Sequence, residues 1–394
     1  MDNLFAILFV LLQIIIGIYL VLPLILFILW WLFAKKNTFI PDVKHQKDFA
    51  IIVTAYQQTD LIPEVVKSLL AIDYENYHIY IVADNCEKSE NLNFNHSFVT
   101  VLYPEQIIAS NTGSHFYAIN HFIRQHEALM IIDSDNMVDK NILKQINNYF
   151  HVGFEAVQGI RAAKNLDTMI AKLDAARDIY YHFFDGKVLF QLGSSATLAG
   201  SGMAFTVDLY KKCLENTPIK GAGFDKVLQY LILCHQKRIA FCETAIVYDQ
   251  KTSQSDQLVN QRSRWINTWF RYFKFGFKLI SQSIKNFNFN QFLFGVVLLR
   301  PPLFLLIILS GLFFLINSYL LSIISISIWI IGFLSFLCSF IFALKVSHTD
   351  KKIYKALYSI PIFIYYQVIS LLNAKNANQR SVATKHQVVK KQES

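Results

Sequence analysis

The chain has 394 residues, enough for more than one domain, and 54% of them are hydrophobic, including 34 Phe. The apolar residues are concentrated towards the two ends, which excludes a purely soluble protein. The net charge of +9 does not indicate a nucleic-acid partner, because many Lys and Arg lie beside hydrophobic runs, where basic residues mark the cytoplasmic side of a membrane. The five Cys have no metal-ligand spacing, which favours a reducing compartment and argues against zinc.

The first long apolar run covers residues 3–34, which carry no charge and are followed by Lys35 and Lys36. A helix of about 20 apolar residues is long enough to cross a bilayer. A cleaved signal peptide would instead have basic residues before a shorter apolar core. We therefore expect residues 1–38 to form a retained transmembrane anchor, with its N-terminus outside and the following residues in the cytoplasm.

Residues 39–264 alternate between strand and helix patterns, and no internal repeat is visible. Such alternation predicts an α/β domain with a mostly parallel sheet flanked by helices. The predicted strands are 49–54, 78–83, 98–102, 129–132, 156–161 and 240–248, and the predicted helices are 61–72, 114–126, 140–149, 168–190 and 224–236.

The C-terminal third contains further membrane-associated patterns. Residues 265–291 predict a basic, aromatic-rich amphipathic helix at the membrane interface, or alternatively an ordinary helix packed on the domain. Residues 292–346 predict a transmembrane hairpin, whose first span either starts or kinks at Arg300-Pro301-Pro302. Residues 347–375 could span by length. Basic residues flank this segment on both sides, so we expect an interfacial or re-entrant helix and a basic cytoplasmic tail at 376–394.

Two acidic residues, Asp133 and Asp135, follow the apolar strand 129–132. The carboxyl ends of strands in open α/β sheets border the crevice where ligands bind. Neighbouring carboxylates repel each other unless a cation lies between them, and Mg²⁺ or Mn²⁺ prefers such oxygen ligands. The pair therefore predicts a divalent-metal site that would hold a diphosphate. The alternative is an Asp-rich turn.

Three further features follow in an order that suits one site. Tyr56 ends the first strand and could stack on a base. Asp84 ends the second strand and could accept hydrogen bonds from a base or ribose. Arg262 and Arg264 could grip a diphosphate, and Trp265 offers a flat face for a sugar ring. Each residue has a simpler interpretation, as packing, turn or lipid-headgroup contact. Their joint order and spacing predict convergence at one edge of the sheet.

These motifs resemble those of membrane-integrated family 2 glycosyltransferases, the family of cellulose, chitin and hyaluronan synthases. The resemblance covers about residues 45–270 and the membrane layout. The segment Gln261-Arg262-Ser263-Arg264-Trp265 matches the family's Q(Q/R)xRW signature, Asp133 and Asp135 match its D-x-D motif, and Asp84 matches its nucleotide-contacting Asp. The resemblance implies a GT-A fold with an N-terminal transmembrane anchor and C-terminal transmembrane or interfacial helices.

The resemblance also implies inverting, metal-dependent transfer from a nucleotide-sugar, expected to be a UDP-sugar. The acceptor would be a growing polysaccharide or a lipid-linked molecule at the cytoplasmic face of a bacterial inner membrane, and export or polymerisation partners are expected. The implied base is Asp225, which alternatively serves only as a helix N-cap. The implied ligand contacts are Tyr56, Asp84, Asp133, Arg262 and Arg264 for the donor, Gly200, Ser201, Gly202, Gln261 and Trp265 for the acceptor, and Asp133 and Asp135 for Mg²⁺ or Mn²⁺.

Three departures from the family pattern motivate a second hypothesis. Phe224 replaces the acidic residue before Asp225, Gln57-Gln58 replaces Asn-Glu, and Thr112-Gly113-Ser114 lacks the usual Lys. They favour a catalytically degenerate membrane scaffold or subunit of a polysaccharide-synthesis complex as the alternative function. A transporter is disfavoured, because the few predicted spans contain no intramembrane acids.

Overall fold

The structure is a computed structural model that describes residues 2–34, 43–219 and 221–379. Lys35 and Lys36, which follow the predicted anchor, and residues 380–394 of the predicted basic tail lie outside the described residues. The orientation predicted from these basic residues therefore stays a prediction.

An eight-stranded sheet forms the centre of residues 49–249, here called the α/β unit, in the order β3-β2-β1-β4-β7-β6-β8-β5. The first four strands of this order are parallel to one another, and β6 and β8 are parallel, whereas β7 and β5 are antiparallel to their neighbours. The carboxyl ends of β1, β4, β6 and β8 therefore lie at the same edge. The strands are β1 Phe49–Tyr56, β2 Tyr77–Asp84, β3 Val99–Leu102, β4 Ala128–Asp133, β5 Met137–Val138, β6 Ala156–Ala163, β7 Met203–Thr206 and β8 Ile239–Asp249.

Helices cover both faces of this sheet. Every residue of β2 is buried, as are the first five of β4, and continuous burial of this kind requires both faces to be covered. The predicted α/β fold with a mostly parallel sheet flanked by helices is confirmed. The helices are α2 Ile62–Leu70, α3 Asn111–Asn120, α4 Ile142–His151, α5 Met169–Tyr181, α6 Leu189–Gln191, α7 Val207–Leu214 and α8 Phe224–Cys234, with a short 3₁₀ turn at Glu90–Leu92.

The structure differs from the predicted elements in three ways. The single helix predicted for 168–190 is interrupted by a π-helical segment, His182–Val188, which joins α5 to α6. Strands β5 and β7 and helix α7 were not predicted. The predicted interfacial helix 265–291 instead covers the end of the helix Ser255–Tyr272, the helix Phe275–Asn286 and the start of the helix Phe289–Leu299. The second of these packs on the α/β unit, where the Phe275 ring stacks on Tyr230 of α8 at 4.1 Å between centroids.

Within the described residues, three helical segments are long and apolar enough to cross a membrane: Leu4–Phe33, Ile323–Val346 and Lys351–Leu372. A fourth candidate is the pair formed by α11 (Phe289–Leu299) and α12 (Leu303–Tyr319), which is bent by 67°. The bend contains Arg300-Pro301-Pro302, as the kinked alternative predicted, because Pro lacks the N–H that would continue the helix. The helices are α1 Asp2–Phe33, α9 Ser255–Tyr272, α10 Phe275–Asn286, α11 Phe289–Leu299, α12 Leu303–Tyr319, α13 Ile323–Val346, α14 Lys351–Ala356 and α15 Ile360–Leu372, with 3₁₀ turns at Leu357–Ser359 and Ala374–Gln379.

Helix α1 packs against both the C-terminal helices and the α/β unit. Its Leu20 is buried with Leu306 of α12 and Trp329 of α13. Gln13 Oε1 accepts hydrogen bonds from Asn317 Nδ2 at 2.6 Å and from Trp329 Nε1 at 3.2 Å. Polar contacts of this kind hold helices together where the surroundings are apolar.

Candidate active site

A cleft of about 830 Å³ lies at the carboxyl edge of the sheet and continues between the C-terminal helices. Strand ends, the start of α8, helix α9 and the apolar helices α12, α13 and α15 all contribute to its lining. The structure thus brings together most of the site residues predicted from the sequence. Those that line the cleft are Tyr56, Asp133, Asp135, Gly200, Asp225, Gln261, Arg262, Arg264 and Trp265.

Asp133 and Asp135 stand at the end of β4 in a turn supported from behind. Ser201 is fully buried, and its hydroxyl accepts hydrogen bonds from the Asp133 backbone N–H at 3.1 Å and from Asn136 Nδ2 at 3.2 Å. Burial, reinforced by the charge of Asp135, raises the pKa of Asp133 to about 7, and Arg161 opposes this rise. The carboxylate pair is therefore an electrostatically unfavourable arrangement that a cation would relieve.

A buried charge network that the sequence did not reveal lies beside this pair. Asp249 at the end of β8 binds Arg161 at 2.8 Å and Lys251 Nζ at 2.7 Å, and Lys251 also pairs with Asp178 of α5. Arg161 Nη1 donates to the Ala199 carbonyl at 2.7 Å. The nearby carboxylates raise the pKa of Lys251 and Arg161 although burial lowers it, so both side chains stay charged. The strand-end rule that found Asp133 would also have found Asp249.

Asp225 lies in the first turn of α8 and faces the cleft. Its carboxylate contacts Lys226 Nζ at 3.1 Å, and that ammonium group donates to the Leu198 carbonyl at 2.9 Å. Gly223 directly precedes the helix at φ 98°, and a Cβ there would lie 2.6 Å from Thr268 Cγ2 of α9. Only glycine therefore allows this close approach of the turn that carries Asp225 to α9.

Phe224 occupies the place of the family's acidic residue because the surroundings are apolar. It is buried, and its ring contacts the His115 ring at 5.2 Å between centroids. His115 Nδ1 lies 2.7 Å from the Tyr210 hydroxyl, and burial lowers the pKa of His115 to about 3. His115 is therefore a neutral core residue, and the departure at 224 leaves Asp225 in place at the cleft.

Helix α9 carries the Gln261–Trp265 motif along one side of the cleft. Arg262 is 2% exposed and pairs with Asp174 of α5. Its Cζ lies 3.9 Å from the ring centroid of Trp265, and Arg177 Cζ lies 4.8 Å from the same centroid. Burial, followed by the charge of Arg177, lowers the pKa of Arg262 to about 10, and burial also lowers the pKa of Arg264. This side of the cleft thus contains buried cations suited to anionic groups.

Three other predicted site residues, all within the described ranges, lie behind the cleft lining. Both carboxylate oxygens of Asp84 accept backbone N–H groups, from Ile108 at 2.9 Å and from Ala109 at 2.7 Å. These bonds hold the loop that leads into α3. Ser201 supports the Asp133 turn, and the backbone of Gly202 bonds to Ile131 and Gly159. Their direct ligand contacts stay predictions.

Comparison with known proteins identifies the family. Residues 45–268, more than half of the chain, match the family model described as glycosyltransferase like family 2. The chain belongs to this glycosyltransferase family. The comparison of this chain with curated proteins found no match. Its fold resembles that of mannosyltransferase PcManGT from Pyrobaculum calidifontis, solved in complex with GDP-Man and Mn²⁺, with a TM-score of 0.58, 13% identity, and coverage of 92% of this chain and 98% of that chain.

Two structures of S. aureus TarS 1–349 are similar at lower TM-scores. The first has a TM-score of 0.41 and 15% identity. The second, in complex with UDP-GlcNAc, has a TM-score of 0.41 and 14% identity. Both comparisons cover 84% of this chain and 90% of the TarS chain. The prediction of an enzyme of the glycosyltransferase class with a GT-A-like fold is confirmed.

The residues of the glycosyltransferase fit a metal that is shared with its substrate. Among the described residues, no group of three or more His, Cys, Asp or Glu side chains could hold a metal by itself. Mg²⁺ and Mn²⁺ sites that bind phosphorylated substrates commonly use one or two carboxylates and complete the coordination shell with phosphate oxygens and water. Asp133 and Asp135 supply such a pair, and the raised pKa of Asp133 reflects charge that a cation would neutralise.

Proposed function

We propose that this protein transfers a sugar from a nucleotide-sugar, expected to be a UDP-sugar, to a polysaccharide or lipid-linked acceptor with inversion at the anomeric carbon. The proposal rests on one observation: Asp133, Asp135, Asp225 and Arg264 line the same cleft. A metal-ligand pair, a candidate base and a buried cation at a single site are the groups that such a transfer requires. PcManGT, whose fold is similar, binds GDP-Man and Mn²⁺, which supports a nucleotide-sugar donor.

The donor would lie across the strand ends. Tyr56 would stack on the base, and Arg264 would donate hydrogen bonds to the diphosphate, since guanidinium matches phosphate oxygens. A Mg²⁺ or Mn²⁺ ion held by Asp133 and Asp135 would neutralise charge that develops on the diphosphate as it leaves. Arg161, fixed by Asp249 at 2.8 Å, adds positive charge beside the same carboxylates.

Asp225 would act as the general base. The acceptor hydroxyl oxygen forms a bond to the anomeric carbon while the bond between that carbon and the β-phosphate oxygen breaks. The hydroxyl proton moves to the Asp225 carboxylate, and the nucleoside diphosphate leaves. Lys226, which contacts both Asp225 and the Leu198 carbonyl, would hold the carboxylate in position.

We propose that this reaction takes place at a membrane, because several described helices are long and apolar enough to cross one. The α/β unit would lie on the cytoplasmic face of a bacterial inner membrane, with α1 and the hairpin α12–α13 in the bilayer. The segment Lys351–Leu372 is long enough to span, whereas its flanking basic residues favour the interface. Export or polymerisation partners belong to the same proposal.

The decisive experiment measures nucleoside diphosphate release by the purified full-length protein across a panel of UDP- and GDP-sugars with Mg²⁺ or Mn²⁺. Asp225→Asn should lower turnover by about 10²–10⁴-fold, the usual contribution of a general base. The matched control is Asp208→Asn, which makes the same change at an exposed residue in the first turn of α7 and should change turnover by less than about twofold. Equal turnover in both variants would refute the base assignment, and no turnover with any donor would favour the scaffold.

A further inference from the structure

The cleft has an apolar branch that the donor does not need. Beyond the Gln261–Trp265 motif the lining passes to Phe304 and Ile307 of α12, Phe336 and Phe340 of α13, and Phe363 and Ile364 of α15. We call this part of the cleft the membrane arm. Its helices include two of the segments that are long and apolar enough to cross a bilayer, so the arm runs from the strand-end carboxylates into apolar surroundings.

Three polar side chains line the cleft on the neighbouring helices α9 and α15: Gln261, Arg262 and Gln367, which we call the polar ring. Gln367 lies one helical turn from Phe363 and Ile364 of the membrane arm. A hydrogen bond of 2.9 Å from Ser263 Oγ to the Ser370 carbonyl holds the two helices side by side. Arg262 is 2% exposed and Gln367 is 5% exposed. The three side chains thus form a buried polar boundary between the proposed reaction centre and the membrane arm.

This polar ring has hydrogen-bonding capacity that the described part of the protein does not use. Gln261 Oε1, Gln367 Nε2, and Arg262 Nε and Nη1 are buried, and no described group bonds to them. The only ion pair of Arg262 among the described residues is with Asp174 through Nη2. A buried donor or acceptor without a partner is unfavourable, so these groups favour a polar ligand, and the three donors, on Arg262 and Gln367, favour an anionic one.

We infer that the acceptor is a phosphate-bearing lipid whose apolar chain occupies the membrane arm and whose phosphate contacts Arg262 and Gln367. This inference rests on the proposed function and specifies its acceptor. The hydroxyl of the lipid head group reaches Asp225, attacks the anomeric carbon and displaces the nucleoside diphosphate, while its proton passes to Asp225. Arg262, which the sequence assigned to the donor, acts here on the acceptor.

The lining favours a lipid over a saccharide chain. A polysaccharide in the membrane arm would bury hydroxyl groups against Phe and Ile side chains, and each hydroxyl without a partner would cost free energy. An alkyl or prenyl chain has no such groups and gains free energy from burial. The charge of the ring adds specificity, because a neutral lipid would leave the Arg262 donors unpaired.

The test uses the full chain in detergent micelles with the radiolabelled donor that proves active in the panel. The phosphate-bearing probes are phosphatidylglycerol and a polyprenyl-phosphate-linked sugar. Diacylglycerol keeps the chains and a hydroxyl without a phosphate, and glycerol phosphate keeps the phosphate and hydroxyls without chains. Label in the organic phase reports transfer to lipid. Nucleoside diphosphate release without any acceptor separately reports donor use.

Two variants of α15 provide a matched pair. Ile364→Trp fills the membrane arm, whereas Ile362→Trp adds the same bulk two residues away at a side chain that is 56% exposed and lies outside the cleft lining. Ile364→Trp should lower transfer to lipid by about tenfold or more, and Ile362→Trp by less than about twofold. Gln367→Leu, which keeps a similar volume, should raise the KM for the lipid by about 10–100-fold through loss of a hydrogen bond to a charged group. The KM for the donor should not change.

The outcomes separate the inference from the proposed function. Label in the organic phase with a phosphate-bearing lipid only, reduced in Ile364→Trp and Gln367→Leu, supports the inference. Donor use with label confined to water-soluble saccharide or glycerol phosphate, or equal transfer by Ile364→Trp and Ile362→Trp, overturns the inference and leaves the proposed function standing. A rise in the donor KM of Gln367→Leu with an unchanged lipid KM also overturns it. No donor use by the unaltered protein defeats the proposed function itself.

Discussion

Replacing Lys251 by Met should destabilise the α/β unit more than replacing a charged residue in an exposed ion pair. The Lys251 side chain is 1% exposed and lies between two carboxylates, Asp249 at 2.7 Å and Asp178. The variant removes the ammonium group and leaves both carboxylates buried. Arg161 still pairs with Asp249 at 2.8 Å, and Arg177 still pairs with Asp178 at 3.0 Å, so the loss is partial rather than complete.

The size of the effect follows from the burial of this ion-pair network. Breaking a buried pair by removing one partner costs about 3–5 kcal/mol. The remaining arginine contacts place Lys251→Met at the lower end of that range, about 3 kcal/mol. For a unit of this size, each kcal/mol lowers Tm by about 2–4 °C, so a fall of about 10 °C is expected.

The measurement is thermal unfolding of the purified full chain in detergent. Lys187→Met is the matched control, because its ammonium pairs at 2.8 Å with Glu243, whose side chain is 42% exposed. An exposed pair contributes about 0–1 kcal/mol, so the control should lose less than about 3 °C. The double variant Lys251→Met/Asp178→Asn should recover part of the loss, since it removes one of the two buried carboxylates and deprives only Arg177, whose side chain is 25% exposed, of that partner. Equal Tm values for Lys251→Met and Lys187→Met would refute the reasoning.

Three further changes test other parts of the site. Gly223→Ala should lower both Tm and nucleoside diphosphate release, because the residue has φ 98° and the added Cβ would lie 2.6 Å from Thr268 Cγ2. Gly153→Ala is the control: Gly153 has φ 93° and no atom lies within 4 Å of its added Cβ, so this variant should show only the cost of the backbone conformation. Burial lowers the pKa of His115 from 6.5 to about 3, so between these pH values the unfolded chain binds more protons than the folded chain. The contribution of His115 to the free energy of unfolding is therefore full above pH 6.5 and falls by about 2 kcal/mol as the pH is lowered to 5. His115→Gln should flatten that part of the plot of Tm against pH, and an unchanged plot would show that another group is responsible. Asp133→Asn should raise the Mn²⁺ concentration needed for half-maximal donor binding by at least about tenfold. A titration curve identical to that of the unaltered protein would exclude Asp133 as a metal ligand.

The parallel strands and the acidic turn could be predicted because their signals are local. β1, β2 and β4 are mostly apolar strands. The rule that ligands bind at carboxyl strand ends selected Asp133 and Asp135, and both line the cleft. The same rule applied to β8 would have added Asp249. The motif Gln261–Trp265 was found by resemblance, and the structure places it along the same cleft.

Other features depend on contacts between distant residues and could not be predicted. Lys251 and Asp178 are 73 positions apart, and nothing in either segment indicates that they pair. Strand β7 has only four residues, too few to show a period of two. The carboxylate of Asp84, whose predicted ligand contact stays a prediction, accepts two backbone N–H groups from residues 108 and 109, a geometry that only the folded loop reveals.

The turn that carries Asp133 and Asp135 is fixed at both ends by different parts of the sheet. It joins β4, in the middle of the sheet, to β5, at its far edge, although only residues 134–136 separate the two strands and β7, β6 and β8 lie between them in the sheet order. Asn136 N also donates to the Asp133 carbonyl at 3.1 Å within the turn. The conformational freedom of the carboxylates is thus given up when the protein folds rather than when a ligand arrives. A preorganised turn of this kind binds a charged ligand with little further loss of entropy.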